Sequence, residues 1–356
     1  MSYWDKFASV YNIFAKKYDF HFCNIGDIGR IVDFIDKYWK KGHILTKSRE
    51  LMDFQYLDKE HNRYNFVIAE DKDANEIHAI IGFIMSSIYD EDIKYPIRWG
   101  AIWKVRNDVA PKGLGIAVKY YFEKYAHAPY VGGLGLSNYS KTIDRKLGEN
   151  VGKLHKYYML NDEITDFKLA DNVTENSYAK NICSTETKSI RRIDSGVFRD
   201  ETRDYYKYVP EYKSVKYYIN RYRNHPIYHY DFYEIYDEDK AIALFITRTA
   251  TANHSKGIFI VDYIGSGLEL DSLYNDFQRM MKNEGAEFIC FYETGLYEAG
   301  MINSGFIENS ETIVPLYFEP LARVNVDLDY HYISERNNEH LVVFKGDADQ
   351  DRPNIL

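Results

Sequence analysis

The sequence predicts an α/β (α+β) protein built as two similar halves in tandem, each a mixed, mostly antiparallel sheet flanked by helices. Three observations predict it. At 356 residues the chain exceeds what a typical single core organises, so two domains are favoured. Apolar residues switch along the chain between the alternation of half-buried strands and the i, i+3, i+4 spacing of amphipathic helices. The order of these segments between 19 and 160 then recurs between 190 and 318.

In the first half, 19–24 reads as a short strand, and Asp27 caps a helix with Ile28, Ile31, Val32, Ile35 and Trp39 on one face. The stretch 42–48 breaks that helix, and 49–57 resumes with Leu51, Phe54 and Leu57 at helical spacing. Segments 65–70 and 77–87, joined by the polar turn 71–75, form an antiparallel hairpin. A fourth strand carries Arg98, Trp99 and Trp103. Lys112-Gly113-Leu114-Gly115 then marks a turn into a helix at 116–125, followed by a strand at 130–137, a short helix at 140–147 and a closing strand at 153–160. Backbone N–H groups at such a turn point at one spot, which suits phosphate oxygens. Glycine is required there where a Cβ would hold the ligand off or where φ is positive.

Residues 161–190 are polar and aperiodic, which sets the expected organisation as 1–165, a connection at 166–189 and 190–356. Beyond the connection come a strand at 190–194, a helix at 214–222, a hairpin of 231–236 with 240–249, and a strand at 257–264. A helix at 270–282 shows Leu273, Phe277, Met280 and Met281 on one face. Strands at 286–292 and 312–318 flank a short helix at 296–303. The turn of this half is Gly265-Ser266-Gly267-Leu268-Glu269-Leu270-Asp271, and its two acidic residues would repel a pyrophosphate, so only the first half is expected to bind one.

Composition narrows the function. With 54 acidic against 45 basic residues and a net charge of -9, the chain lacks the basic surplus of a general nucleic-acid binder. Cys23, Cys183 and Cys290 lie far apart, which suggests neither a zinc site nor a disulfide framework and fits a reducing compartment. No metal site is expected. No apolar run is long enough to span a bilayer, so a soluble cytoplasmic protein without membrane partners is expected. Asp347, Asp349 and Asp351 alternate near the end but lack the glycine and glutamate of a calcium loop; a solvated acidic tail is expected, with a folded-back cap or a substrate contact as the alternative.

The element order together with Pro111-Lys112-Gly113-Leu114-Gly115-Ile116-Ala117 resembles the GNAT acyl-CoA N-acyltransferases, in both halves at the level of fold. The resemblance implies that Lys112, Gly113, Leu114, Gly115, Ile116 and Ala117 hold the pyrophosphate of acetyl-CoA or another acyl-CoA. It implies that Trp103, Lys104 and Val105 pair with the pantetheine arm, and that Asn138 closes the fifth strand. The family's usual tyrosine acid is replaced by Asp144, with Tyr139 nearby, and Ala110 stands where the motif opens with Gln or Arg.

The reaction needs a base for the acceptor amine and an acid for the thiolate; Asp108, His43 and Tyr139 are the catalytic candidates. In the second half, Arg221 and His225 lie in a segment dense in hydrogen-bonding and stacking groups. Asp262 and Glu293 fall in or at the end of apolar strands, where open sheets place ligands; these four are the substrate-binding candidates. Gly42-His43-Ile44-Leu45, Asp53-Phe54-Gln55-Tyr56-Leu57 and the 344–354 ending resemble tandem GNAT proteins of bacterial surface-polysaccharide gene clusters, which implies an amino-sugar or nucleotide-linked amino-sugar acceptor. The alternatives are a Fem-like aminoacyl transferase and a non-catalytic acyl-CoA-binding pair. The sequence leaves the oligomeric state open.

Overall fold

The computed structural model describes residues 2–180, 182, 184–194, 203–308, 311–316, 323–336 and 341–349. The chain divides into two compact units. The first runs to Gly152 and takes in a late segment starting at Tyr330; the second runs from Lys153 to Asp329 and takes in the described stretch 341–349.

The first unit contains α1 (Tyr3–Phe14), β1 (Tyr18–Asn24), α2 (Ile28–Phe34), α3 (Ile44–Lys47), α4 (Arg49–Tyr56), β2 (Leu57–Asp58), β3 (Arg63–Asp71), β4 (Glu76–Met85), β5 (Ile97–Val105), α5 (Leu114–Tyr125), β6 (Tyr130–Leu134), α6 (Asn138–Lys146) and β7 (Asn150–Lys153). The first helix lies outside the elements expected from the sequence, although its start is signalled: the Ser2 hydroxyl accepts from Asp5 N–H and the Asp5 carboxylate accepts from Ser2 N–H. The sheet order is β1-β3-β4-β5-β6, then a late strand Asp329–Ser334, then β7, with β2 on β3. β1 to β5 pair antiparallel, β5 and β6 run parallel, and the late strand is antiparallel to β6.

One face of β3 and β4, through Val67, Ala69, Ala79, Ile81 and Phe83, packs on Leu114, Ala117, Val118 and Phe122 of α5. Each such large side chain removed from water contributes about 1.5–3 kcal/mol. On the other face Tyr56 of α4 stacks on Phe66 with ring centroids 4.7 Å apart. Cover on both faces explains why these strands read as nearly unbroken apolar runs.

The second unit contains β8 (His155–Leu160), β9 (Lys188–Ile193), α7 (Val215–Tyr218), β10 (Asp231–Asp237), β11 (Lys240–Ala252), β12 (Ser255–Ile264), α8 (Tyr274–Glu284), β13 (Ala286–Thr294), α9 (Ala299–Asn303) and β14 (Ile307–Glu308). Its order is β14-β8-β13-β12-β11-β10-β9, with Val343–Phe344 also paired to β13. β12 and β13 are its parallel pair. Phe277 of α8 anchors the core, its ring 5.9 Å from Phe245 and 5.0 Å from Phe306.

Four expectations change. The strand 153–160 was expected to close the first half, but β8 pairs with β13, and the late strand occupies the place beside β6. Periodicity reports that a strand is buried on both faces; it carries no address for the edge that strand joins. The strand expected from 190 begins at Lys188, inside the connection expected at 166–189, whose Lys168, Leu169 and Ala170 N–H groups donate to Glu287. The expected strand 312–318 forms no ladder in its described part; Ile313 makes an isolated bridge to Asp171. The solvated tail is corrected to the folded-back alternative over 343–349, where Asp347 and Asp349 are buried; Asp351 lies outside the described residues.

Candidate functional site

β5 pairs with β6 only over Ile97–Gly100, although it continues to Val105. A bulge at Ala101, where Gly82 opposes Ile102 and Phe83 opposes Gly100, shifts the alternation by one. Arg98 and the more distal Trp103 and Val105 therefore meet the same helix, α5: Arg98 covers the Phe122 ring, while Val105 and Trp103 approach Gly115. Beyond Gly100 the strands part and a cleft of about 600 Å³ opens, lined among others by Trp103, Lys104, Val105, Lys112, Gly113, Gly115 and Tyr139.

Gly113 caps α5 at φ +101°, a left-handed conformation that favours glycine, and a Cβ there would stand 3.2 Å from Phe14. A Cβ on Gly115 would stand 3.3 Å from Val105 Cγ2 and 3.7 Å from Trp103, so this glycine keeps the strand-facing wall of the cleft open. Leu114 N–H donates to the Pro111 carbonyl, and Ile116 and Ala117 N–H donate to the Gly113 carbonyl. Leu114 and Ala117 are core residues that hold α5 on the sheet, and neither they nor Ile116 and Asn138 line the cleft. Asn138 opens α6 behind its cap Ser137.

Of the catalytic candidates, only Tyr139 is brought to the cleft. Its ring centroid lies 5.6 Å from that of Trp103, and burial raises its phenol pKa, which keeps it a proton donor at neutral pH. His43 is buried outside the cleft and caps α3, its Nδ1 accepting from Leu45 N–H at 3.3 Å. Asp108 is exposed and held by Arg106 through bonds of 2.8 and 3.1 Å. That guanidinium pulls its carboxyl down to about 2, which makes it a weak base.

Along the wall of the cleft, where Lys119, Asp144 and His331 line it, lies a buried ionic network that the sequence did not disclose. Lys119 Nζ is 2.8 Å from Glu123 and 3.3 Å from Asp144, so Lys119 is no surface lysine. Burial works against its charge, but Glu123, Asp144 and Glu149 raise its pKa. Glu123 also binds Arg98; burial opposes its ionisation, yet Arg98 and Lys119 pull it to about 2. Asp144, in the slot where the resemblance places a tyrosine, is raised by burial. Glu149 bonds Nδ1 of His331 on the late strand, and His331 reaches the cleft. His331 sits opposite Gly133, where any Cβ would collide with its Nε2, and the same atom is 3.9 Å from the Cβ position of Gly100. The alternation of Asp329-Tyr330-His331-Tyr332-Ile333 is the signal that marks this strand in the sequence.

The corresponding places in the second unit are filled by the chain itself. The Glu269 carboxylate accepts from Ser266 N–H at 2.9 Å, Gly267 N–H at 3.0 Å and Tyr263 hydroxyl at 3.1 Å, so it occupies the anion position of that turn. Past the β12/β13 pairing, Lys345 N–H donates to the Tyr292 carbonyl and Gly346 N–H to the Val261 carbonyl. The substrate candidates here have partners within the chain. Asp262 is fully buried, bound by Lys213 Nζ at 2.8 Å and Tyr222 hydroxyl at 2.7 Å; Lys213 also holds Asp347 at 2.9 Å. Arg221 is buried and donates to the Gly346 carbonyl. His225 Nδ1 accepts from Ile227 and Tyr228 N–H. Glu293 closes the turn after β13 by accepting from Leu296 N–H, and burial pushes its carboxyl up to about 7.

The sequence matches no protein-family model and no curated protein. Solved structures do resemble the chain. A GCN5-related N-acetyltransferase from Anabaena variabilis ATCC 29413 superposes with a TM-score of 0.54 over 89% of this chain and 72% of its own, at 9% identity. A conserved protein of unknown function from Enterococcus faecalis V583, described as a probable N-acyltransferase, gives 0.51 over 83% and 71%, at 8% identity. The likeness shows the fold: mixed sheets flanked by helices, as the sequence predicts. Among the described residues, no helix is long and apolar enough to cross a membrane.

Proposed function

We propose that the first unit binds an acyl-CoA, acetyl-CoA foremost, and transfers its acyl group to a primary amine. The observation that carries this reading is the edge of β5 from Ala101 to Val105, which has no β6 partner and faces the cleft opposite the Gly113–Gly115 turn. An unpaired strand edge offers alternating N–H and C=O groups to an extended, amide-bearing arm. The helix N-terminus at the other end of the same cleft favours phosphate, with the N–H groups of Gly113 and Gly115 and the Lys112 charge available to it.

In the proposed reaction the amine gives up a proton and attacks the thioester carbonyl, the tetrahedral oxyanion collapses, the C–S bond breaks, and Tyr139 protonates the thiolate. Amide and free thiol are the products. We take transfer to be direct: Cys23 is buried, does not line the cleft and has its thiol pushed up to about 12 by burial, Cys290 is buried with its thiol raised likewise, and Cys183 lies outside the described residues. The second unit is a degenerate copy whose own Glu269 supports its lack of a second coenzyme. The acceptor we favour is an amino sugar, free or nucleotide-linked, acylated in the cytoplasm for surface polysaccharide, as the sequence resemblance implies.

Calorimetry with acetyl-CoA, followed by thiol release with a panel of UDP- and dTDP-amino sugars, tests the reading. Gly115→Leu, which fills the cleft beside Val105, is expected to weaken coenzyme binding at least tenfold. Absence of binding to the unaltered protein sinks the proposal. Binding without thiol release from any amine favours the non-catalytic pair, and amide formation only from aminoacyl-tRNA, which liberates tRNA and no thiol, favours the Fem-like reading.

A further inference from the structure

We propose that His331, held by Glu149, is the general base that deprotonates the acceptor amine, an inference that rests on the acyl-transfer reading above. Three independent features support it. The first is position: Nε2 lies over Gly133 and near Gly100, at the point where β5 and β6 part and the cleft begins. The carbonyl of a thioester laid along the free β5 edge falls at that parting. The second is orientation. Glu149 binds Nδ1, so the neutral ring carries its proton there and leaves Nε2 as the acceptor.

The third feature is charge. The ring meets Glu149, before β7, through Nδ1, with Asp144 of α6 beside it, and Lys119 and Glu123 of α5 and Arg98 of β5 continue the same ionic network from Asp144. Two fixed cations against three carboxylates leave one surplus negative charge in a buried setting. A proton arriving at Nε2 balances it, so the imidazolium formed during attack is compensated where it forms. The carboxylates of Asp144 and Glu149 and the His331 ring lie close enough to share one cation, but the Lys119 ammonium, 3.3 Å from Asp144, already supplies it. In the step, the amine lone pair forms the new C–N bond, the N–H bond breaks with its electrons left on nitrogen and its proton moving to Nε2, and the oxyanion expels the thiolate, which takes its proton from Tyr139.

The test measures acetyl-CoA affinity and amine-dependent thiol release for His331→Gln and Glu149→Gln across pH 5–9. His331→Gln should keep coenzyme affinity within about twofold while kcat falls roughly 10²–10⁴-fold, the range for a lost general base. Glu149→Gln should cost less, about 10–100-fold, as for a lost orienting partner. Retained coenzyme binding with kcat within threefold of the parent overturns the assignment. If His331→Gln does not fold, the unaltered protein decides: with a series of acceptor amines, the ionisation that switches kcat/KM on as pH rises should stay fixed. An ionisation that tracks the amine's own pKa overturns the proposal. Binding without turnover by the unaltered protein overturns this base and leaves the donor site standing; no coenzyme binding removes both.

Discussion

Replacing Glu269 by alanine should turn the filled turn of the second unit into an open anion site. The carboxylate holds two backbone N–H groups at 2.9 and 3.0 Å and the Tyr263 hydroxyl at 3.1 Å. Hydrogen bonds to a charged group contribute about 1.5–3 kcal/mol each when buried. Glu269 is half-buried, so solvent screening reduces the total, and a net loss of about 2 kcal/mol is expected. For a unit of this size that corresponds to a melting shift of about 4–8 °C. The vacated N–H groups would then accept an oxyanion, and at a hundred times its Kd the anion restores about 2.7 kcal/mol. The assay is thermal unfolding of parent and variant in sulfate and in chloride at matched ionic strength. Sulfate stabilises any protein somewhat, so the quantity that matters is the extra stabilisation of the variant over the parent. An unchanged melting point, or equal responses to sulfate, refutes the reasoning that Glu269 stands in the anion's place.

Tyr139→Phe should lower kcat about 10²-fold with little change in acetyl-CoA affinity and should remove the loss of rate at high pH; stopped thiol-release assays check both. Lys213→Met leaves Asp262 and Asp347 facing each other without a cation, and urea unfolding should show a loss of about 3–5 kcal/mol. Glu293 titrates at about 7 in the folded chain against 4.5 ordinarily, so the folded state binds its proton more tightly. Its contribution is complete below about pH 4.5 and is lost as pH rises through 7. Glu293→Gln should therefore raise stability at pH 8 by up to about 3 kcal/mol and flatten the pH dependence, read from urea midpoints at pH 5 and 8.

The glycine turn and the strand beside it were legible in the sequence because they are local, although Leu114, Ile116, Ala117 and Asn138 do not line the cleft. Gly113, Gly115 and the strand before them sit within twenty residues, and glycine at a strand-to-helix turn has few other uses. The acidic turn at Glu269 was legible as a departure, but the sequence showed repulsion of a phosphate and not a carboxylate that replaces it. His331 was illegible as a site residue for a different reason: its meaning depends on pairing with Gly133, about two hundred residues earlier, and no local pattern encodes that register. Asp262 illustrates the converse. A carboxylate in an apolar strand reads as a ligand until Lys213 and Tyr222, distant in sequence, are found to satisfy it. Asp144 was noticed only as the wrong residue for an acid; its role as a counter-charge for Lys119 emerges from packing.

The late strand has a consequence for the nascent chain. β6 leaves the ribosome with one edge bare, and its neighbour Asp329–Ser334 follows about two hundred residues behind. At roughly 5–20 residues per second that edge waits on the order of 10–40 s. During this interval the first unit lacks both a strand and its imidazole, so the nascent chain cannot acylate anything by the route described, and its bare edge is a template for wrong pairing. Chaperone dependence should concentrate in that window, and the proposed activity should appear only after it.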